Sequence, residues 1–353
     1  MSEQSSSSDI QVARAASEKP APGSVIMSGM RTTGRLHIGH YFGALKNWLQ
    51  LQKDFKGFYG AMDWHGMTTA YKTPHNIQDW SREYFAEWIA WGLDPEKNTL
   101  FIQSRVPEHI ELMTYFMMIT PMGWLERVPT WKDAEADAKA NDTHNLGRFG
   151  YPVLQAADIA LYRGTHVPVG RDQISHLELS RDIIRRFNFL YGGNLPEPKP
   201  VFTETPEIVG SDGRKMSKSY ENSFFLTQEE DELQKNIRAM PTDPARVRRA
   251  DPGEPTKCPV YSYHKLFSKP EDIPWVENGC RTAGIGCGDC KNKLRDNINE
   301  LSAKPREKKK ELLQSSDTLD SIIADGCQRA RKTARETLQQ VQDWTGFSQR
   351  AEF

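Results

Sequence analysis

At 353 residues, with 37% apolar and 26% charged side chains, the chain is long enough for two domains and too apolar for a disordered one. A formal net charge of −1 supplies no global basic field, so any nucleic-acid contact must be local, and no stretch approaches the ~20 apolar residues of a membrane helix. Five cysteines, four of them within residues 258–290, argue against a secreted disulfide framework and for a reduced compartment, the cytoplasm, with a candidate metal site.

Residues 1–23 are rich in Ser, Ala and Pro, lack the apolar block of a signal peptide, and read as a disordered tail. Val25, Ile26 and Met27 form the short apolar run of a buried parallel strand. Gly29 and Gly34 then bracket a loop carrying Arg31, Thr32 and Thr33, all hydrogen-bond donors. From Leu36 the period changes: Ile38, Tyr41, Phe42, Leu45, Trp48 and Leu49 fall on one helical face. Strand, glycine loop and helix together aim a helix N-terminus at whatever sits above the strand, and such an end favours phosphate. His37 and His40 lie in its first turn, with Gly39 between them leaving the backbone open.

Residues 57–63 read as the second strand, with Trp64, His65, Thr68 and Thr69 at its carboxyl end, where ligands sit in open α/β sheets. A helical pattern over 77–91 stops at Gly92; 99–103 reads as a third strand and 107–118 as a further helix. This alternation implies a parallel sheet with crossovers. Residues 131–146 are polar and read as an exposed connection, and 151–162 as an amphipathic helix opened by Pro152. Asp158 stands among Leu154, Ala156, Ala157, Ile159 and Leu161, so it needs partners, as a structural hub or as a ligand contact.

Residues 166–173 read as another strand and 176–187 as a helix. The turn-rich stretch 205–223 carries Lys215-Met216-Ser217-Lys218-Ser219, two lysines among small hydroxyl residues, which suits a clamp on a polyanion. Helical patterns follow over 229–240, 296–313 and 319–344, and the stripe Ile323, Cys327, Ala330, Ala334, Leu338, Val341 makes Cys327 a core thiol. Lys291, Lys293, Arg295, Lys304, Arg306, Lys308, Lys309 and Lys310 form either a solvated face or a contact for RNA phosphates. Cys258, Cys280, Cys287 and Cys290, spaced C-x21-C-x6-C-x2-C in a glycine-rich stretch, fit zinc or an iron–sulfur cluster, and spacing alone does not decide between them.

His37-Ile38-Gly39-His40 and Lys215-Met216-Ser217-Lys218-Ser219, in that order, resemble the two signatures of class I aminoacyl-tRNA synthetases. Ser28–Gly29–Met30–Arg31 onward to His40, Tyr151 to Ile159, Val167 to Gln173 and Arg186 to Asn188 are similar to blocks of the bacterial tryptophanyl-tRNA synthetase family, a resemblance that covers nearly the whole chain from Ser24. It implies activation of tryptophan by ATP with Mg²⁺, transfer to tRNA(Trp), and a homodimer with no membrane association. It implies a Rossmann-like parallel-sheet catalytic domain over residues 24–225, followed by a helical anticodon-binding domain over 226–353 with the four-cysteine site. By that likeness His37, His40, Lys132, Lys215 and Lys218 are catalytic, and Arg31, Thr32, Thr33, Gly39, His40, Met216 and Ser217 contact ATP. Asp158 accepts the indole N–H, Tyr151 and Gln173 meet the ammonium group, and Gln155 takes a place where many members carry methionine. Arg171 replaces a more usual acidic residue. Some members carry a [4Fe–4S] cluster on a similar cysteine pattern, so the resemblance favours that cluster over zinc. A tyrosyl-tRNA synthetase shares the architecture, and the activated amino acid separates the two.

Overall fold

The computed structural model describes residues 19–132, 144–170, 173–202, 208–214, 216, 220 and 222–348. In chain order the elements begin β1 (Val25–Arg31), α1 (Ile38–His40), a π turn (Tyr41–Leu45), α2 (Lys46–Leu51), β2 (Lys56–Met62), α3 (Asp63–Ala70), α4 (His75–Ala90) and β3 (Thr99–Ile102). They continue with α5 (Glu108–Ile119), α6 (Met122–Glu126), α7 (Leu146–Leu161), β4 (His166–Val169), α8 (Ile174–Tyr191) and β5 (Lys199–Phe202). The remaining helices are α9 (Glu230–Ala239), α10 (Pro259–Phe267), α11 (Asp272–Arg281), α12 (Cys287–Gln314) and α13 (Ser316–Thr345). The chain divides into two compact units: Met1–Gly34, Gly43–Glu204 and Ser315–Phe353 in one, and Arg35–Phe42 with Thr205–Gln314 in the other.

The first unit holds the sheet. Its five parallel strands run in the order β3-β2-β1-β4-β5, the Rossmann-like arrangement anticipated from the alternation of strands and helices. Strand order reverses between β1 and β4, and ligands of open α/β sheets sit at the carboxyl ends of the strands beside such a reversal. Beneath the sheet, Trp48 stacks on Tyr59 at 4.6 Å and meets Trp88 edge-on at 5.3 Å. Such pairs add about 0.5–1.5 kcal/mol to the gain from burial.

Several helices differ from the sequence expectation: α3, α10 and α11 have no counterpart in it, α12 starts at Cys287 and not at 296, and two more differ as follows. The single helix anticipated after Leu36 widens into a π turn at Tyr41–Leu45 before resuming as α2; of its expected face Ile38, Phe42, Leu45 and Trp48 are buried, and Tyr41 and Leu49 are half-buried. Helix α7 begins at Leu146, where Asn145 Oδ1 accepts the Arg148 N–H at 3.0 Å. Pro152 therefore lies inside this helix and not at its start. Having no N–H, it cannot donate to the carbonyl of Arg148 one turn earlier.

The stretch 226–353, expected as one helical domain, is divided: α13 groups with the sheet. Its stripe is small enough for close approach. Cys327 Sγ accepts the Ile102 N–H at 3.4 Å, and a Cβ on Gly326 would run into the carbonyl oxygen of Leu100. Arg331 and Arg335 both reach the buried Glu108, at 2.8 and 3.0 Å. Burial raises the Glu108 carboxyl, but hydrogen bonds led by Arg331 outweigh it and hold the group below its ordinary range. Cys327 is thus a core thiol, as its place in the stripe indicates.

Among its described residues the second unit is helical apart from linking turns and an antiparallel bridge between His37 and Phe225. Leu233, Ile237, Val260, Tyr263, Val276 and Leu294 form its core. The short histidine segment joins it by backbone pairing: Ile38 N donates to Phe224 O, and Leu226 N to Leu36 O, each at 2.9 Å. Phe42 packs edge-on against Phe267 at 5.5 Å. Among the described residues no helix is long and apolar enough to cross a membrane.

Candidate active site

In the sheet unit a cavity of about 160 Å³ is lined by Arg31, His65, Thr68, Thr130, Arg148, Tyr151 and Gln173. Arg31 ends β1, His65 and Thr68 stand on α3 just past β2, and Arg148 and Tyr151 leave the first two turns of α7. A cavity of roughly 150 Å³ admits an aromatic ring of benzene size, so this space takes an organic ligand and not merely a water. Five of the residues singled out from sequence, Arg31, His65, Thr68, Tyr151 and Gln173, are brought together here. Arg148 and Thr130 are not recoverable from motif or periodicity. Arg148 gives itself away only by lying one turn before Tyr151 on the same helix face.

Behind the cavity sits Asp158, 3% exposed. Its Oδ2 accepts from His65 Nε2 at 2.7 Å; its Oδ1 accepts from His109 Nδ1 at 2.7 Å and from Gln103 Nε2 at 2.8 Å. Burial alone would raise the carboxyl, but the charge interaction with His65 and the hydrogen bonds of His109 and His65 hold it well below the usual carboxylate range. Burial also pushes the Tyr162 hydroxyl well up, so it stays protonated and donates to His109 Nε2 at 2.7 Å. That fixes the His109 tautomer: Nδ1–H faces Asp158 and Nε2 accepts. Asp158 is therefore a hub, the first of the two readings its sequence setting allows. Among the described residues its Oδ2 accepts from His65 alone, and a carboxylate oxygen has capacity for two donors.

Tyr151 shares its hydroxyl with Thr130 Oγ1 and His176 Nε2. Burial raises its pKa, with a smaller opposing effect from the Thr130 hydrogen bond. Gln155, one turn on, is half-buried, and Lys132 is exposed. Thr32, expected at ATP, is fully buried beneath Gly66, where a Cβ would lie 3.0 Å from the Thr32 carbonyl oxygen. Thr33 is half-buried.

In the helical unit the two histidines make a reciprocal cap. His37 Nδ1 accepts the Gly39 N–H, and His40 Nδ1 accepts the His37 N–H, each at 3.1 Å. With Nδ1 accepting, the proton of each neutral ring is on Nε2. The rings lie 3.8 Å apart, and a Cβ at Gly39 would come 2.8 Å from the His37 ring, so only glycine fits between them. Lys215, Ser217, Lys218 and Arg171 lie outside the described residues; Met216 is half-buried. The base of the lysine loop is pinned: Ser211 N donates to Asn222 O, and Asn222 Nδ2 to Asp212 Oδ1, both at 2.8 Å. The Asn222 hydrogen bond, ahead of those from Arg214, draws the Asp212 carboxyl down to about 2.

Cys258, Cys280, Cys287 and Cys290 line a second cavity, with Arg246, Val260 and Ile285 among its walls. Burial, then the other three cysteines, pushes the Cys290 thiol up to about 12. His264 Nε2 lies 3.3 Å from Cys290 Sγ, and its Nδ1 pairs with Ser268 Oγ at 2.7 Å. Four soft sulfur donors facing one space fit an iron–sulfur or zinc group. Among the described residues, however, no three His, Cys, Asp or Glu side chains are gathered tightly enough to bond one ion. Much of the nearby basic run is engaged within the unit: Lys291 donates to Arg238 O and Met240 O, Lys293 pairs with Asp272, and the buried Arg306 with Glu230.

Because the folded Asp158 carboxyl titrates below its unfolded value, its stabilisation is complete above about pH 4 and is lost as pH falls through the folded value. Asp158→Asn is therefore expected to lower the unfolding free energy at neutral pH by about 3 kcal/mol, since it leaves buried donors without their charge partner. Denaturant titrations of both proteins from pH 7 to pH 3 check this. The gap should narrow below about pH 4; equal stability at pH 7, or a gap that widens in acid, would remove Asp158 from the hub.

A family model of tRNA synthetases class I (W and Y) matches residues 20–303. The chain is 46% identical over 318 residues to the tryptophan–tRNA ligase of Thermotoga maritima, covering 90% of this chain and 97% of that one. It is 39% identical to the enzyme of that name from Ralstonia nicotianae, over 92% of this chain and 98% of its relative. Among solved structures, the tryptophanyl-tRNA synthetase of Campylobacter jejuni, complexed with ADP and tryptophan, superposes with a TM-score of 0.84 at 34% identity, covering 91% of this chain and 99% of that one. Sheet order, paired histidines and these likenesses over nine-tenths of the sequence agree, and the chain belongs to the class I tRNA synthetases of the tryptophan and tyrosine family.

Proposed function

We propose that the cavity at the strand ends receives tryptophan, and that the histidine and lysine motifs meet the phosphates of ATP carried with Mg²⁺. The chain is a tryptophan–tRNA ligase. In the first step a carboxylate oxygen of tryptophan bonds to the α-phosphorus of ATP and the bond to the β-phosphate bridging oxygen breaks, giving tryptophanyl-adenylate and pyrophosphate. In the second, the terminal ribose hydroxyl of tRNA(Trp) attacks the acyl carbon and AMP leaves. Neither step uses a nucleophilic side chain, so the protein works by positioning and by stabilising charge on phosphate oxygens.

In this reading the Nε2–H groups of His37 and His40 donate to phosphate oxygens, with Gly39 permitting the close approach of the two tilted rings. Lys132, Lys215 and Lys218 neutralise the pyrophosphate, and Arg31, Thr33, Met216 and Ser217 contact the nucleotide. Thr32 supports the loop from beneath, because it is fully buried. Tyr151 and Gln173 offer oxygen acceptors to the ammonium group, Gln155 lies against the indole, and the second site on Asp158 Oδ2 accepts the indole N–H. A homodimer in the cytoplasm completes the picture. Its support is apolar surface on α5 and α6, where Met118 and Met122 are 78% and 66% exposed.

The observation that carries the reading is the cavity itself, with Tyr151 and Gln173 facing two guanidinium groups in a chain like tryptophan–tRNA ligases almost end to end. Amino-acid-dependent ATP–pyrophosphate exchange, run over all twenty amino acids, tests it. Tryptophan should support exchange far above every other amino acid; exchange driven by tyrosine, or by none, would overturn it.

For the four cysteines we propose a [4Fe–4S] cluster in the helical unit, where it would hold α10, α11 and α12 together and shape the surface offered to tRNA. Protein purified without oxygen should be brown and contain about four irons per chain. Colourless protein with one zinc per chain would contradict the cluster.

A further inference from the structure

The cavity at the strand ends carries two guanidinium groups, and they are held differently. Arg31 is anchored, its Nε donating to His65 O at 3.2 Å and its Nη2 to Thr69 Oγ1 at 2.6 Å. Arg31 is an exposed residue that also lines this cavity. Arg148 projects into the same space, and its Nε is buried from solvent with no hydrogen-bond partner among the described residues. Leaving a buried donor of a charged group unmet costs more than leaving a neutral one unmet.

The two like charges also act on each other. Burial first, then Arg148, lowers the Arg31 guanidinium, and among the described residues only Tyr151 and Tyr84 act in the opposite sense. The buried carboxylate behind the cavity, Asp158, is directed to His65, Gln103 and His109. Arg148 further stands in the first turn of the sixteen-residue helix α7, whose positive end adds to the field. The cavity is therefore built for an anion. It is not built for an anion alone, because the Tyr151 hydroxyl and the Gln173 amide offer acceptors in the same space. A zwitterion satisfies both sets, whereas a phosphate satisfies only the donors.

We propose that Arg148 binds the α-carboxylate of the amino acid substrate with its guanidinium fork, and so makes the enzyme prefer the amino acid to the corresponding amine. This rests on the reading of the cavity as the tryptophan site. A planar fork matches a carboxylate through two parallel N–H···O bonds. One of the two carboxylate oxygens must be released towards the α-phosphorus during activation, so the fork orients the nucleophile as well as binding it. Arg148 differs in this from Arg31, whose Nε and Nη2 are already used by the protein.

The test compares tryptophan with tryptamine, which lacks only the carboxylate, by calorimetric titration of the full-length wild type, Arg148→Gln and Arg148→Lys without nucleotide. Arg148→Gln should weaken tryptophan by about tenfold or more, as for loss of a charged hydrogen-bond pair, and leave tryptamine within about twofold. Arg148→Lys, which keeps the charge and loses the fork, should fall between the two. The ratio of the two affinities is insensitive to a fraction of misfolded protein, because that fraction cancels. Equal weakening of both ligands would make Arg148 a shaper of the cavity and overturn the assignment. Unchanged affinities with a raised KM for ATP in pyrophosphate exchange would assign Arg148 to a phosphate and overturn it equally. A wild type that binds no tryptophan would remove the underlying reading and this assignment with it, and that failure shows before any variant is made.

Discussion

One buried negative charge organises the catalytic unit. Asp158 is almost wholly out of water, and such a charge persists only if donors surround it. Three donors arrive from three different places: His65 from the helix after β2, Gln103 from the turn after β3, and His109 from α5. The carboxylate itself rides on α7. Three stretches far apart in sequence, around residues 65, 103–109 and 158, are thus fastened at the carboxyl ends of the strands, where the sheet order turns back on itself. The consequence reaches the cavity wall through His65, whose ring faces Asp158 while its carbonyl takes the Nε–H of Arg31.

The histidine signature has a comparable internal logic. The pattern His-x-Gly-His is what a reciprocal cap of a very short helix requires. The first ring takes the N–H two residues on, the second takes the N–H three residues back, and the residue between must lack a Cβ. Capping through Nδ1 leaves each proton on Nε2, so the motif fixes the tautomers before any ligand arrives. The cap and the base of the lysine loop belong to the same compact unit, tied together by the backbone pairing of Leu36 and Ile38 with Phe224 and Leu226.

The strands and long helices were legible in the sequence because period and punctuation agree there. The helix after residue 75 stops at Gly92, which indeed takes φ +105°, and the stripe from Ile323 to Val341 is buried as its spacing requires. What the stripe packs against was not legible. Helical periodicity shows which face is apolar but not its partner; it is the fold that sets Gly326 against the backbone of β3. The start of α7 was misplaced by five residues because Pro152 looks like a first-turn proline, while the cap that opens the helix is Asn145. Of the site, Arg31, Tyr151 and Gln173 are legible from motif and resemblance, and His65 and Thr68 from their place at a strand's carboxyl end. His109, Gln103, His176 and Arg148 carry no pattern, since their roles depend on tertiary convergence on one carboxylate or one cavity. The need of Asp158 for partners is legible as a charge in an apolar setting, whereas the identity of those partners is set by the fold.

The central claim is that this cavity holds the substrate whose carboxylate is activated. A crystal structure of the protein soaked with tryptophan alone tests it most directly. The account predicts the amino acid with its indole beside Asp158, its ammonium group against Tyr151 and Gln173, and its carboxylate on the Arg31 and Arg148 side. Tryptophan bound elsewhere, or oriented with its carboxylate turned away from both arginines, would contradict it.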